Sequence, residues 1–195
     1  LPALLSCMVL VQVGLSLIAL GSQHSSAMVG LVYQQLSNAL AIAGLGILFG
    51  LIMTQFPNLD LQSRREGNAA MVFDAPIAGL VTAVSLAALA GIPGLSGFIG
   101  QSLIVLGGFA RSPWVVLIAG LSLLLLSTCL FGVYRVLFLG GGPSDQSPPP
   151  EQRELSIRQK GFLVPLVVLM ILFGVYPKPI LDVIRPTAEG LLSQL

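Results

Sequence analysis

Five uninterrupted apolar runs, at roughly residues 4–20, 28–53, 76–109, 113–139 and 161–176, leave this chain few ways to fold. A hydrocarbon layer about 30 Å thick is crossed by about 20 apolar residues in a helix. Inside it every backbone N–H and C=O must find a partner without water, which favours helices. Strands of a transmembrane barrel would alternate in segments of about ten residues, and these runs of 16 residues and more do not alternate. The pattern predicts an all-α, polytopic transmembrane helix bundle of about five spans, forming a single membrane domain over residues 1–195.

Charge supports the same class. Only 9% of the 195 residues are charged, against roughly 25% in soluble domains. A soluble enzyme and a disordered segment are both excluded. A nucleic-acid binder would need a basic face, and nine Lys+Arg against eight Asp+Glu leave a net charge of +1. The expected surroundings are therefore a lipid bilayer and no nucleic acid. Cys7 and Cys129 lie in apolar runs, too far apart for metal ligation, and read as small buried hydrophobes. The first run lacks the basic flank and small-residue cleavage site of a signal peptide, so it reads as a span. The chain opens on Leu1 with a span almost at once, and the expectation is a portion of something longer.

Two polar loops separate the spans, 54–74 and 140–160. The second holds GGGPSDQSPPP, which can neither pack nor form helix and reads as a flexible linker. The charged EQRELSIRQK that follows suits an amphipathic turn or two on the membrane surface. The longer loops and their edges hold Arg64, Arg65, Arg135, Arg153, Arg158 and Lys160, whereas the short connections hold only Arg111. Basic residues stay on the cytoplasmic side, which puts both loops there and the tail with Lys178 and Arg185 outside.

The run 76–109 is too long for its task. Its 34 residues would make a straight helix of about 51 Å. Within it lies GIPGLSGFIG, residues 91–100. Pro93 removes a backbone donor and clashes with the preceding turn, while Gly91, Gly94 and Gly97 tolerate conformations that other residues avoid. Two readings stand on these residues: two half-helices joined by an unwound stretch, of the kind found around transporter ion sites, or a kinked packing helix or short helical hairpin.

A charged group in mid-span would be a functional signal, but none falls in the middle of any of these five runs. His24 falls in the connection GSQHSS and reads as a solvated loop residue; Arg135 lies where it can snorkel to the headgroups. The polar residues within the spans are neutral: Gln12, Gln34, Gln35, Ser37, Asn38, Gln101 and Ser102. Gln35 and Asn38 share a helix face by spacing. Such amides bridge helices, at roughly 0.6–2 kcal/mol each, or hydrate a polar interior. They cannot exchange a proton near neutral pH.

Four segments in order, NALAIAGLGILFG, GIPGLSGFIGQSLIVLGGF, YRVLF and FGVYPKPILDVI, carry a resemblance. Together they resemble the C-terminal part of the antiporter-like membrane subunits of type I NADH:quinone oxidoreductase, the chain M (subunit 4) type above the others and Mrp antiporter subunits next. The resemblance covers nearly all 195 residues, in a family whose chains have about fourteen helices. It implies a proton-translocating module with inverted repeats, each with a discontinuous helix. That favours a true break at Gly91, Pro93, Gly94 and Gly97. It also implies a line of buried Lys, His and Glu residues joined by water.

The relay positions are altered here. Where the family has Gly-Glu-Phe after the break, this chain has Gly100, Gln101 and Ser102. Asn38 stands where a histidine is common, and Gln12 where a histidine or glutamine precedes a glycine. The family's Lys-Arg-Leu-Leu-Ala aligns with Pro2 to Ser6, so the lysine is missing. The packing residues Gly44, Pro93, Gly97, Tyr134, Arg135, Tyr176, Pro177 and Pro179 are kept. A relay needs groups whose protonation changes, so a family fold without the usual titrating groups is expected, either a scaffold or a half-channel conducting through water alone.

The resemblance implies a non-redox subunit, or part of one, in a proton-translocating NADH:quinone oxidoreductase, degenerate in pumping at these positions. NADH, flavin, iron–sulfur and quinone sites are expected in other subunits and none in this chain, since a usual cluster takes four cysteines. The implied partners are the other membrane-arm subunits. The implied location is a bacterial inner membrane or an equivalent energy-converting membrane. Two alternatives remain: an Mrp-type cation/proton antiporter subunit, which should carry a carboxylate near the break where Gln101 stands, and a non-transporting structural remnant, which the missing Lys, His and Glu favour.

Overall fold

The computed structural model describes residues 2–55, 76–135 and 156–192. Seven helices account for nearly all of them: α1 (Pro2–Ser22), α2 (Ser25–Gln55), α3 (Pro76–Ala90), α4 (Ser96–Arg111), α5 (Pro113–Tyr134), α6 (Ile157–Val175) and α7 (Lys178–Leu192). The chain is an integral, multi-pass membrane bundle. Ser25–Leu51, Pro113–Gly132 and Arg158–Val175 are long and apolar enough to cross a bilayer, while Met8–Ser22 and Ile77–Ala90 are shorter apolar segments.

The long third run is two helices. At 15 and 16 residues, α3 and α4 measure about 22 and 24 Å, each short of a ~30 Å core. They are not laid end to end. A continuous helix would separate Leu89 from Gln101 by about 18 Å, yet the Gln101 amide donates to the Leu89 carbonyl at 3.0 Å. The first turns of α4 therefore lie beside the last turn of α3. Beyond that overlap α3 packs mainly on α2, α5 and α6, and α4 on α2, α1 and α6, rather than on each other as a hairpin would, so the discontinuous helix is the observed reading, with the unwound part confined to residues 91–95.

The long helix α2 is central, packing most extensively on α4 and also touching α1, α3, α6 and α7. Hydrophobicity does not draw helices together in lipid, so small residues set the close approach. A Cβ on Gly30 would meet Ile104 N at 2.8 Å and Leu103 Cβ at 2.7 Å; one on Gly100 would meet the Gln34 backbone at 2.8 Å, and one on Gly107 that of Ala27 at 2.6 Å. The α2–α4 pair is thus nearly backbone against backbone. Gly44, expected as a packing residue, opens room for Ser85 of α3, whose Oγ a Cβ there would meet at 3.0 Å. Beneath, Leu45, Leu89, Leu130 and Met170 close a common core from α2, α3, α5 and α6.

The outer surface is apolar. Trp114, Leu117, Ile118, Leu121, Leu124, Leu125 and Phe131 line the exposed side of α5, with Phe162, Val168, Ile171, Leu172 and Val175 on α6. An apolar exposed patch this large marks contact with lipid or another protein. Cys129 lies on this surface, exposed, which corrects the expectation of a buried thiol. In a membrane helix an apolar run does not distinguish core from lipid face. The side chain of Cys7 lies outside the described residues.

Other boundaries also move. Residues 157–160, expected as part of the linker, form the first turn of α6, started by a capping box between Ser156 and Gln159. The rest of 140–160, and loop 56–75, lie outside the described residues. The tail forms α7. Its Leu181, Ile184 and Ala188 pack on Met28 and Val29 of α2 and Leu103 of α4, while Lys178, Asp182 and Arg185 stay exposed.

Replacing Gly100 by Ala forces α4 away from α2 and should cost about 1–3 kcal/mol, as other overpacked sites do. A Cβ at Gly46 would meet nothing within 4 Å, so Gly46→Ala should be neutral or slightly stabilising. Thermal unfolding of the purified full-length protein in nanodiscs would separate the two.

Candidate functional site

Pro93 creates the site. Helix α3 ends in a Schellman arrangement: Gly91 sits at φ 74°, its N–H reaches Ala88 O at 3.2 Å, and Ile92 N reaches Ala87 O at 3.0 Å. The next carbonyl, Leu89 O, would take its helical hydrogen bond from residue 93, and proline has no N–H to give. Two side-chain amides answer it instead. Gln12 Nε2 donates from α1 at 3.2 Å and Gln101 Nε2 from α4 at 3.0 Å. The two residues are 77 and 12 positions away from Leu89 in sequence. A Cβ at Gly91 would collide with the Gln101 amide, so that glycine serves both the left-handed turn and the close approach.

The amides continue as a chain. Gln34 Nε2 donates to Gln12 Oε1 and to Asn38 Oδ1, each at 3.0 Å. Gln12, Gln34, Asn38 and Gln101 are all at least 95% buried. Beside them the Ser37 and Ser96 hydroxyls, 2.8 Å apart, tie α2 to the first residue of α4. Gln34 Oε1 is buried with no hydrogen-bond partner, as is the Ser85 hydroxyl.

The end of α6 completes the enclosure. A Cβ at Gly174 would strike Gly94 O and Leu95, so α6 ends directly against the break. Pro177 repeats the effect of Pro93: it withholds the donor that Phe173 O would have received. Tyr33 Oη, on α2, donates to that carbonyl.

All three expected positions, Gln12, Asn38 and Gln101, therefore meet in one hydrogen-bonded track, at the break formed by Gly91, Pro93, Gly94 and Gly97. Gly97 itself lies against the Ala88 carbonyl. Gln34 is the residue that the sequence did not single out. Three-residue spacing pairs Gln35 with Asn38, but Gln35 turns outward and donates to Ser16 Oγ at 2.7 Å. The four-residue spacing of Gln34 and Asn38 carried the signal. His24 is exposed in the turn before α2, its Nδ1 2.9 Å from Ser26 Oγ, and Arg135 is exposed at the end of α5, both as expected. Among the described residues no group of His, Cys, Asp and Glu could hold a metal ion.

Residues 4–127 match the transmembrane family described as NADH:quinone oxidoreductase/Mrp antiporter. The chain belongs to this family. It is 30% identical over 183 residues to NADH-quinone oxidoreductase subunit M of Pseudomonas aeruginosa, covering 93% of this chain and 34% of that one. It is 31% identical over 169 residues to subunit M of Escherichia coli K12, covering 87% and 32%. The chain thus spans about a third of the length of these relatives. Its fold is shared with a chain of respiratory complex I from Thermus thermophilus with bound NADH, at TM-score 0.81 and 24% identity, over 93% of this chain and 37% of the other. The discontinuous helix implied by the family resemblance is therefore present in a chain that belongs to the family.

Gln34→Leu strands two buried acceptors, Gln12 Oε1 and Asn38 Oδ1. It should destabilise by about 2 kcal/mol, since each unmet buried group costs about 1–3 kcal/mol and lipid allows partial recovery. Gln35→Leu, at the exposed position, should cost less than half as much in the same unfolding measurement.

Proposed function

We propose that this chain is the C-terminal part of a membrane-arm subunit of an NADH:quinone oxidoreductase-type complex, of the subunit M kind. In this reading it builds the helix-break region of the arm and does not itself exchange protons there. Family membership supports the setting. The observation that carries the rest is the track Asn38–Gln34–Gln12–Leu89 O–Gln101, in which every member is an amide or a backbone carbonyl. Neither can take up or release a proton near neutral pH, so Gln12, Asn38 and Gln101 are proposed as substituted positions along the family's proton route.

The proposed partners are the remaining membrane-arm subunits and the surrounding lipid, in a bacterial inner membrane or equivalent. NADH, flavin, iron–sulfur clusters and quinone would be held by other subunits. The chain's own contribution is mechanical: α2 fastens the end of α6 directly through Tyr33 and the end of α3 through Gln12, which Gln34 holds, so the break keeps one shape while neighbouring subunits act.

Purification of tagged full-length protein from its native membrane tests the setting. Co-purification of NADH-oxidising, flavin-containing subunits is expected; recovery in a complex with cation/proton antiport and no NADH oxidation would contradict it and favour the Mrp alternative. The non-exchanging role is tested by Asn38→Ser, which shortens the track without changing charge. NADH-driven proton uptake by inverted membrane vesicles should stay within about twofold, as expected for a site that does not limit transfer. A loss of tenfold or more would mean that the track is a required part of the route.

A further inference from the structure

We propose that Gln12 and Gln101 are positioning residues that form a two-armed donor clamp on the Leu89 carbonyl, and that this clamp admits only a proton-bearing group at position 101. The inference rests on the break geometry and not on the proposed setting of the chain.

Leu89 O is an acceptor and nothing else, and both side chains that reach it do so through N–H. The hydrogen bonds also have a fixed direction beyond this point. Gln12 gives its N–H to Leu89 O and so presents Oε1 to Gln34, which donates to it and to Asn38. Reversing Gln101 would set its Oε1 against Leu89 O, two acceptors facing one another in a buried site. The amide is therefore the neutral, permanently hydrogen-bearing counterpart of a carboxylic acid. A carboxyl group in its place could keep the clamp while protonated and would break it on ionising.

Among the described residues, the surrounding elements hold little that could offset a negative charge: α1, which carries Gln12, has no acidic or basic residue, and Tyr176 beyond the end of α6 is exposed. Helix α3 has no titratable residue. On α2, Tyr33 is engaged by Phe173 O, and His24 lies exposed before the helix begins. Arg111 ends α4, about 15 Å along the helix from Gln101. Arg158 and Lys160 belong to the first turn of α6, about 21 Å or more from Gly174, the end that meets the break. On α5, Cys129 and Arg135 are exposed and Tyr134 packs against the core cluster. Lys178, Asp182 and Arg185 of α7 are exposed. A carboxylate at 101 would accordingly face the Leu89 oxygen without a nearby counter-charge, so ionisation should open the clamp.

The test is hydrogen–deuterium exchange on the full-length protein in its native assembly, read on peptides containing Gly91, Ile92 and Leu95, whose N–H groups bond within the break. Rates are expressed relative to the unmodified protein at each pH. Gln101→Glu should match it at the acid end of the range, where its carboxyl is protonated, and exchange tenfold or more faster at the alkaline end, after ionisation. Gln101→Met, which has no donor, should exchange faster at every pH. Gln12→Met, which leaves one arm in place, should give a smaller, pH-independent increase. A Gln101→Glu ratio that does not change with pH would overturn the proposal, and so would a Gln101→Met ratio of one. Loss of assembly with Gln101→Glu even at the acid end would overturn it as well, because the protonated acid should serve as donor.

Discussion

A backbone carbonyl inside hydrocarbon has no water to turn to, and a proline four residues later takes away its helical donor. Two carbonyls at the helix break are in that position, Leu89 O ahead of Pro93 and Phe173 O ahead of Pro177. Each is met by side chains from other helices: Gln12 and Gln101 at the first, Tyr33 at the second. The end of α6 that carries the second meets the break that follows the first, since Gly174 rests on Gly94 and Leu95. Along α2, Tyr33, Gln34, Ser37 and Asn38 follow within about a turn and a half and serve both places. The remaining architecture is arranged so that α2 can do this. Glycines at 30, 100 and 107 bring α4 close enough for Ser37 to meet Ser96 and for Gly100 to lie on the Gln34 backbone.

Polarity and titratability are separate properties, and the break keeps the first without the second. Four buried amides provide dipoles, donors and acceptors at the point where α3 and α4 come apart. Their hydrogen bonds run in a fixed sense, with N–H groups converging on Leu89 O. This gives an interior that can hold an unwound backbone segment in lipid and keep the same shape across pH. The relatives that share its family are named as subunits of NADH-quinone oxidoreductase, the setting proposed for this chain. The chain's own residues supply a pinned discontinuity.

Much of this is readable from the order of residues. Pro93 among glycines, in a run too long for one crossing, marks the break, and the absence of charge in mid-span marks the neutral interior. Gln12, Asn38 and Gln101 stand out singly in the sequence, and the structure brings all three to one place. Three things are not legible there, for physical reasons. Gln34 and Gln35 are adjacent, and only the rotation of α2 against α1 decides which faces inward; Gln35 meets Ser16 and Gln34 becomes the hub. Cys129 lies on a helix apolar all round, where the sequence carries no record of which side meets lipid. The tail mixes charge with apolar residues, and its helix is ambiguous without Met28, Val29 and Leu103 to pack upon.

The most direct measurement is a high-resolution cryo-electron microscopy map of the full-length protein in its membrane assembly, inspected at the Leu89 carbonyl. The expected result is a helix ending at Ala90, an unwound stretch through Pro93, and the side chains of Gln12 and Gln101 both within hydrogen-bond distance of that oxygen. A continuous helix through Pro93, or a charged side chain in place of either amide at Leu89 O, would contradict it.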